Sequence, residues 1–290
     1  MCETCGCAIT DKGDGAGNLK RDRMDGHTVD VLESLLADND HAAAHNREHF
    51  GRHGVLAINL MSAPGSGKTA LLEATIRALA ARGDGALRVA VIEGDLATEN
   101  DAERIRRQGA PAVQIATGSA CHLDAHMVHD ALHEMSLDDI DILFIENVGN
   151  LVCPASFDLG QHANVTLVSV PEGDDKPAKY PVMFRASDLV LISKADLLEY
   201  MPEFDPDRAR EAVRTVGNAA PIFEIAATRG RGLDEWFTWL EEQRGRLDEL
   251  AAQARGSTGE GHHGHAHAHH AHSPDSESEA AVTVTAGREA

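Results

Sequence analysis

Long apolar runs are missing from this chain of 290 residues. No stretch approaches the roughly 18 apolar residues that a membrane helix needs, so no membrane span is expected. Concentrated positive charge is missing as well: 26 basic residues are scattered among 47 acidic ones, for a formal net charge of -21. Binding nucleic acid requires a gathered cationic face, so nucleic acid is not expected as a partner. The opening Met1-Cys-Glu-Thr-Cys-Gly-Cys7 has neither the basic start nor the apolar stretch of a secretory leader. A cytoplasmic protein is expected, in which the five cysteines stay reduced and available to metal.

What is present is a glycine-rich loop, Asn59-Leu-Met-Ser-Ala-Pro-Gly-Ser-Gly-Lys-Thr69, between an apolar run (Val55 to Met61) and a helical pattern (Ala70 to Ala81). Gly65 and Gly67 let the backbone curl so that the amides around Ser66 point inward at phosphate oxygens, at the positive end of the following helix. Lys68 then reaches the terminal phosphates, and the Thr69 hydroxyl is placed to ligate Mg2+. The usual motif opens on glycine where this chain has Ser62. The strand-loop-helix context argues against a chance Gly/Ser turn.

From Val55 onward, short apolar runs alternate with helical patterns. Strands are predicted at Val89 to Ile92, Ala112 to Ile115, Ile142 to Ile145, Val165 to Val170, Leu189 to Ile192 and Ile222 to Ile225. Helices are predicted at Thr28 to Phe50, Glu99 to Gln108, Ser119 to Glu134, Pro206 to Val216 and Leu233 to Leu250. The alternation predicts an α/β fold, a mostly parallel sheet with helices on both faces. Three regions follow: residues 1–26 as a flexible cysteine-bearing tether, 27–250 as the nucleotide domain, and 251–290 as a disordered His-rich tail.

Asp95, in Ile-Glu-Gly-Asp, and Glu146, in Leu-Phe-Ile-Glu-Asn, stand at the carboxyl ends of strands, where open α/β sheets bind ligands. Both are candidate magnesium partners, against the alternative of charges facing water. After a later strand comes Ser193-Lys-Ala-Asp196. Asp196 can accept two hydrogen bonds from guanine, which adenine cannot offer, while Lys194 lies along the base plane. GTP is the expected nucleotide. Ser193 stands where asparagine is common, and so weakens one polar support.

Two clusters carry metal-ligand chemistry. Cys2, Cys5 and Cys7 can ring a small cation in a plane, which suits nickel or copper better than a closed tetrahedral zinc site. Cys121-His122, predicted to open a helix, and Cys153, which lies beyond Glu146, form the second. A loop that follows Glu146 is placed to respond to the γ-phosphate, as switch loops do. Seven histidines between Gly261 and His272 offer weak chelation. Two ladders, His41/His45/His49/His53 and His122/His126/His129/His133, follow helical spacing and read equally as solvated faces or as metal-handling ones.

Together these segments resemble the HypB family of hydrogenase maturation GTPases. The residues that carry the likeness are Met1 to Cys7, Ser62 to Thr69, Glu93-Gly-Asp95, Cys121-His-Leu-Asp-Ala125, Glu146-Asn-Val-Gly-Asn150 and Gly173-Asp-Asp-Lys-Pro177. The resemblance implies a P-loop NTPase of the SIMIBI type that dimerises with GTP. It also implies a tight nickel site at Cys2, Cys5 and Cys7 and a weaker nickel or zinc site at Cys121, His122 and Cys153. Implied partners are the nickel chaperone HypA and the hydrogenase large subunit precursor. Two alternatives stand beside it: a nickel store with a limited GTPase role, and a urease-type nickel GTPase, which is not expected to carry the cysteine opening. The absence of an evident glutamine or arginine finger predicts slow turnover.

Overall fold

The computed structural model describes residues 26–83, 85–95, 100–118 and 120–257, with side chains between residues 36 and 253. The predictions for Cys2, Cys5, Cys7, the tether and the histidine run from 261 to 272 lie outside the described residues.

The strands are β1 (Leu56–Ser62), β2 (Val89–Asp95), β3 (Ala112–Ala116), β4 (Ile142–Glu146), β5 (Ala163–Ser169), β6 (Leu189–Ser193) and β7 (Ile222–Ile225). They form one sheet in the order β3-β2-β4-β1-β5-β6-β7, and every pairing is parallel. Each apolar run read from the sequence is a strand, because runs buried on both faces have no polar side to alternate. The helices are α1 (Gly26–His53), α2 (Lys68–Arg82), α3 (Asn100–Arg107), α4 (Ala125–Leu132), α5 (Lys176–Lys179), α6 (Pro181–Arg185), α7 (Pro206–Thr215) and α8 (Leu233–Ser257).

Both faces of the sheet are covered. Leu56, Ile58 and Leu60 of β1 pack with Leu71 and Leu72 of α2 and Trp236 and Leu240 of α8. Ala57, pointing the other way, packs with Phe50 of α1 and Val128 and Leu132 of α4. A third cluster joins Met61, Val190 and Ile192 to Phe184 of α6 and Val213 of α7. The Trp236 indole N–H, fully buried, donates to Thr75 Oγ1 at 2.9 Å, which supplies the partner that a buried indole needs.

Four elements differ from expectation. α4 begins at Ala125, because the Asp124 side chain accepts from Met127 N at 2.9 Å and caps it there. Cys121-His122 therefore stands on the turn ahead of the helix, and His122 is not on the α4 face with His126 and His129. α8 continues to Ser257, into the segment expected as tail. The short helices α5 and α6, each with proline in its first turn, were not anticipated.

Among its described side chains, α1 docks through two amides as well as through Ala43 and Phe50. Asn39 and Asn46 are buried, although asparagine is a poor helix former. Asn39 Nδ2 donates to Asp158 O and its Oδ1 accepts from Ala125 N, each at 2.9 Å. Asn46 Nδ2 donates to Ala125 O at 2.8 Å and Leu159 O at 3.1 Å. These bonds tie the helix to the start of α4 and to the loop before β5.

Candidate nucleotide and metal site

The phosphate loop runs from β1 into α2. Gly65 has φ 74° and Gly67 φ 96°, backbone conformations that side-chain-bearing residues rarely adopt, so the curl depends on glycine at both places. Lys68, buried, donates to Ser62 Oγ at 3.0 Å across the mouth of the loop. Ser62 thus occupies the usual first glycine position without closing the loop. Ser66 Oγ hydrogen-bonds both Ala63 O, at 2.8 Å, and the Glu172 carboxylate that follows β5.

Glu146 is buried at the end of β4, not facing water, and its Oε1 accepts from Thr69 Oγ1 at 2.9 Å. Register pairs it across the sheet with Glu93 of β2, also buried. Burial, then the Glu146 charge, pushes the Glu93 carboxyl up, so that it keeps a proton. Burial also raises Glu146, with Lys68 opposing. Glu93 Oε2 and Glu146 Oε2 have no hydrogen-bond partner. The Thr69 hydroxyl beside the Glu146 carboxyl, whose second oxygen has no partner, is a donor pair that fits a hard divalent cation such as Mg2+. Asp95 ends β2, where its carbonyl accepts from Thr117 N at 2.9 Å.

The base-reading segment converges on the same loop. Ser66, Gly67, Lys194, Asp196, Ala227 and Thr228 line one cleft. Lys194 has φ 55°, the single non-glycine residue with positive φ among the described residues, and so turns the chain sharply after β6. Ser193 Oγ donates to Ser66 O at 2.7 Å. The residue expected to weaken the site therefore braces the phosphate loop. Asp196 faces Arg229 at 3.9 Å. Lys176, half-buried at the start of α5, lies with Nζ 5.9 Å from the Tyr180 ring centroid.

The internal sulfur and imidazole ligands meet. Cys121 Sγ lies 3.0 Å from Cys153 Sγ and 3.7 Å from His122 Nδ1, and the donor atoms of all three lie within 4.8 Å of one another. Neither cysteine is in a disulfide. The His122 ring stacks on Phe157 with centroids 3.9 Å apart, and burial lowers its pKa, which favours the neutral, ligating imidazole. Two thiols and one imidazole leave a tetrahedral or planar ion with an open position, as a site that exchanges its metal requires.

A buried amide connects the two halves. Asn147, directly after Glu146, accepts at Oδ1 from Leu123 N (3.1 Å) and Val148 N (2.9 Å), and donates to Asn59 Oδ1 of β1 at 3.2 Å. Asn150 Nδ2 donates to Cys121 O at 3.2 Å, and Val152 N donates to Asn150 Oδ1 at 2.8 Å. Gly149 passes so close to the phosphate loop that a Cβ would stand 2.8 Å from Pro64 Cα. The segment from Glu146 to Cys153 therefore touches the phosphate loop at one end and carries a thiol at the other.

The fold and loop define a P-loop nucleotide-binding protein, and residues 56–224 match the family described as CobW/HypB/UreG, nucleotide-binding domain. That places it among the P-loop GTPases. The hydrogenase maturation factor HypB of Azotobacter vinelandii is 48% identical over 247 residues, covering 83% of this chain and 78% of that protein. HypB of Escherichia coli K12 is 49% identical over 232 residues, covering 80% of this chain and 77% of its own. The crystal structure of HypB from Helicobacter pylori in complex with nickel superposes with a TM-score of 0.67 at 42% identity, spanning 72% of this chain and 96% of that one. The chain belongs to the HypB family of hydrogenase maturation factors.

Sequence reasoning missed Glu93, Asn147 and Glu172 as site residues. Glu93 lay within a quoted motif without a role, and only the β2–β4 register pairs it with Glu146. No helix among the described residues is long and apolar enough to cross a membrane.

Proposed function

We propose that this chain is a GTP-hydrolysing nickel metallochaperone for hydrogenase maturation, in which the nucleotide state sets how firmly Cys121, His122 and Cys153 hold nickel. The observation that carries this reading is the Asn147 and Asn150 bonding, which links the residues after Glu146 to Leu123 N and to Cys121 O. Nickel is the cargo, and zinc is the competitor for the same donors.

The phosphates of GTP settle on the amides from Gly65 to Thr69, and Lys68 swings from Ser62 to the terminal phosphates. Thr69, Glu146 and Asp95 would hold Mg2+, which when bound spreads the developing negative charge of phosphoryl transfer. Asp196 accepts from the guanine edge, and Arg229 gives way. A terminal phosphate beside Glu146 moves the segment to Cys153 and so changes the spacing of the two thiols. Hydrolysis reverses that move. Turnover is slow, because catalysis rests on positioning and charge neutralisation without a dedicated finger.

The chain is divided into residues 1–26, with Cys2, Cys5 and Cys7 as a separate nickel site, the domain, which α8 carries past 250 to Ser257, and the tail beyond it. A GTP-dependent homodimer, acting with HypA on the hydrogenase large subunit precursor, completes the reading. Its support is membership in the family. Nickel affinity measured by calorimetry in the empty, GDP and non-hydrolysable GTP forms should differ between forms, and Lys68→Ala should erase the difference. Equal affinities in all three forms would sink the coupling.

A further inference from the structure

The two histidine ladders, read separately in the sequence, meet where α1 packs on α4. His45 of α1 and His129 of α4 stand edge to face with ring centroids 4.9 Å apart. His129 in turn meets His133 one helical turn further on, with Nε2 to Nε2 at 3.2 Å and ring centroids at 4.7 Å. His49 and His53 continue the track along α1 at 5.1 Å. We propose that His129 and His133 form a second metal-binding site, a pair of imidazoles whose ion is completed by water, for a borderline divalent ion such as Ni2+ or Zn2+.

The orientation of His129 is what makes this a site and not a polar surface. Both amide hydrogens of the fully buried Asn46 are committed, to Ala125 O at 2.8 Å and Leu159 O at 3.1 Å. Its Oδ1 is therefore fixed as the atom facing His129 Nδ1 at 3.2 Å, and it can only accept. His129 must carry its proton on Nδ1, which leaves the Nε2 lone pair bare and aimed at His133. A ligating imidazole anchored through its other nitrogen to an amide oxygen is the usual supporting arrangement of histidine metal sites.

The spacing fits as well. A tetrahedral ion with bonds of about 2.0–2.1 Å to imidazole nitrogen holds neighbouring nitrogens about 3.3 Å apart. The observed pair stands at 3.2 Å. Without metal, His133 Nε2–H donates to His129 Nε2. When an ion enters, His133 moves that proton to its exposed Nδ1, so both rings stay neutral and none is released.

Charge at the site favours the ligating form. His129 is held below the ordinary imidazole value first by burial, then by His133 and His45, with His126 adding and Asp130 opposing. Burial likewise lowers His49, with His53, Arg52, His129 and His45 contributing. Both shifts favour the neutral ring, the form that ligates. This site does not rest on the GTPase reading. It shares no ligand with Cys121, His122 and Cys153, so it offers exchangeable metal a holding place on the same domain without thiolate.

The test uses the full chain with zinc or nickel. Crystals grown with either ion, measured at its absorption edge, should show an anomalous peak within bonding distance of Nε2 of both His129 and His133. Equilibrium dialysis should show His133→Ala, an exposed residue whose loss spares the Asn46 contact, binding one equivalent fewer than the parent. Cys121→Ala combined with Cys153→Ala should retain that equivalent. A saturated crystal with no ion between the two rings would overturn the proposal and leave a hydrogen-bonded surface pair. Unchanged stoichiometry in His133→Ala would overturn it equally.

Discussion

Truncating Asn147 to alanine tests the link between the two halves of the site. Asn147 is 1% exposed, and its amide serves two backbone donors and one side-chain acceptor, Leu123 N, Val148 N and Asn59 Oδ1. An alanine leaves both N–H groups unpaired, at about 1–3 kcal/mol each when buried, so the variant should lose about 2–6 kcal/mol. Typical domains hold about 5–15 kcal/mol, so the variant should fold while standing closer to its limit. Urea unfolding followed through the buried Trp236 reads the loss directly. With a slope of about 2 kcal/mol per molar, the midpoint should fall by about 1–3 M. Nickel titration of the same variant with GDP and with a GTP analogue should then show the two affinities drawing together, because Leu123, two residues after Cys121, no longer shares a partner with β1. A loss under about 1 kcal/mol would mean the bonds are replaceable by water. An unchanged affinity ratio would refute the relay through this amide.

Gly149→Ala puts a methyl 2.8 Å from Pro64 Cα and 2.9 Å from Pro64 N, so backbone must yield. The expected costs are about 1–3 kcal/mol of stability and about tenfold in nucleotide affinity, read by unfolding and by fluorescent-nucleotide titration, and parental affinity would show that the loop accommodates the methyl. His162 supplies a pH signature. Burial, then Arg47, lowers its pKa to about 4, and its Nδ1 accepts from Ala57 N at 3.0 Å as a neutral ring. A folded pKa below the unfolded value means stability is full above pH 6.5 and is lost as pH falls toward 4, by about 3 kcal/mol from this group. In His162→Gln, stability followed from pH 7 to pH 4 should decline less steeply, and an unchanged profile would mean that the ring is solvated.

The sheet was legible because each strand is a short aliphatic run bounded by polar or turn residues, and burial on both faces demands that composition. The phosphate loop was legible for a different reason: its chemistry is contiguous, and one peptide segment supplies glycines, lysine and hydroxyl in order. Cys121-His122 and Cys153 could be found because soft donors are scarce in this chain. The start of α4 was misjudged because histidines at helical spacing extend the pattern backward, while one hydrogen bond from Asp124 decides where the helix begins. Periodicity reports which residues share a face, and says little about which residue caps it.

What stayed hidden is non-local. Glu93 and Glu146 are far apart in the chain and become one carboxyl pair only through the β2–β4 register. Asn46 and Asn147 looked like weak helix or loop residues, yet each places every polar atom of its amide on a separate partner. Such residues cost stability in the positions where local propensity is measured, and contribute it where three elements cross. That difference matters for function. An apolar contact between β1, the Glu146 loop and the Cys121 turn would hold them together through any small displacement, whereas directional bonds from one amide fail when a partner shifts by a few tenths of an ångström. A switch that must transmit the presence of a terminal phosphate to a pair of thiols needs the second kind of connection, and Asn147 supplies it at the one place where all three segments meet.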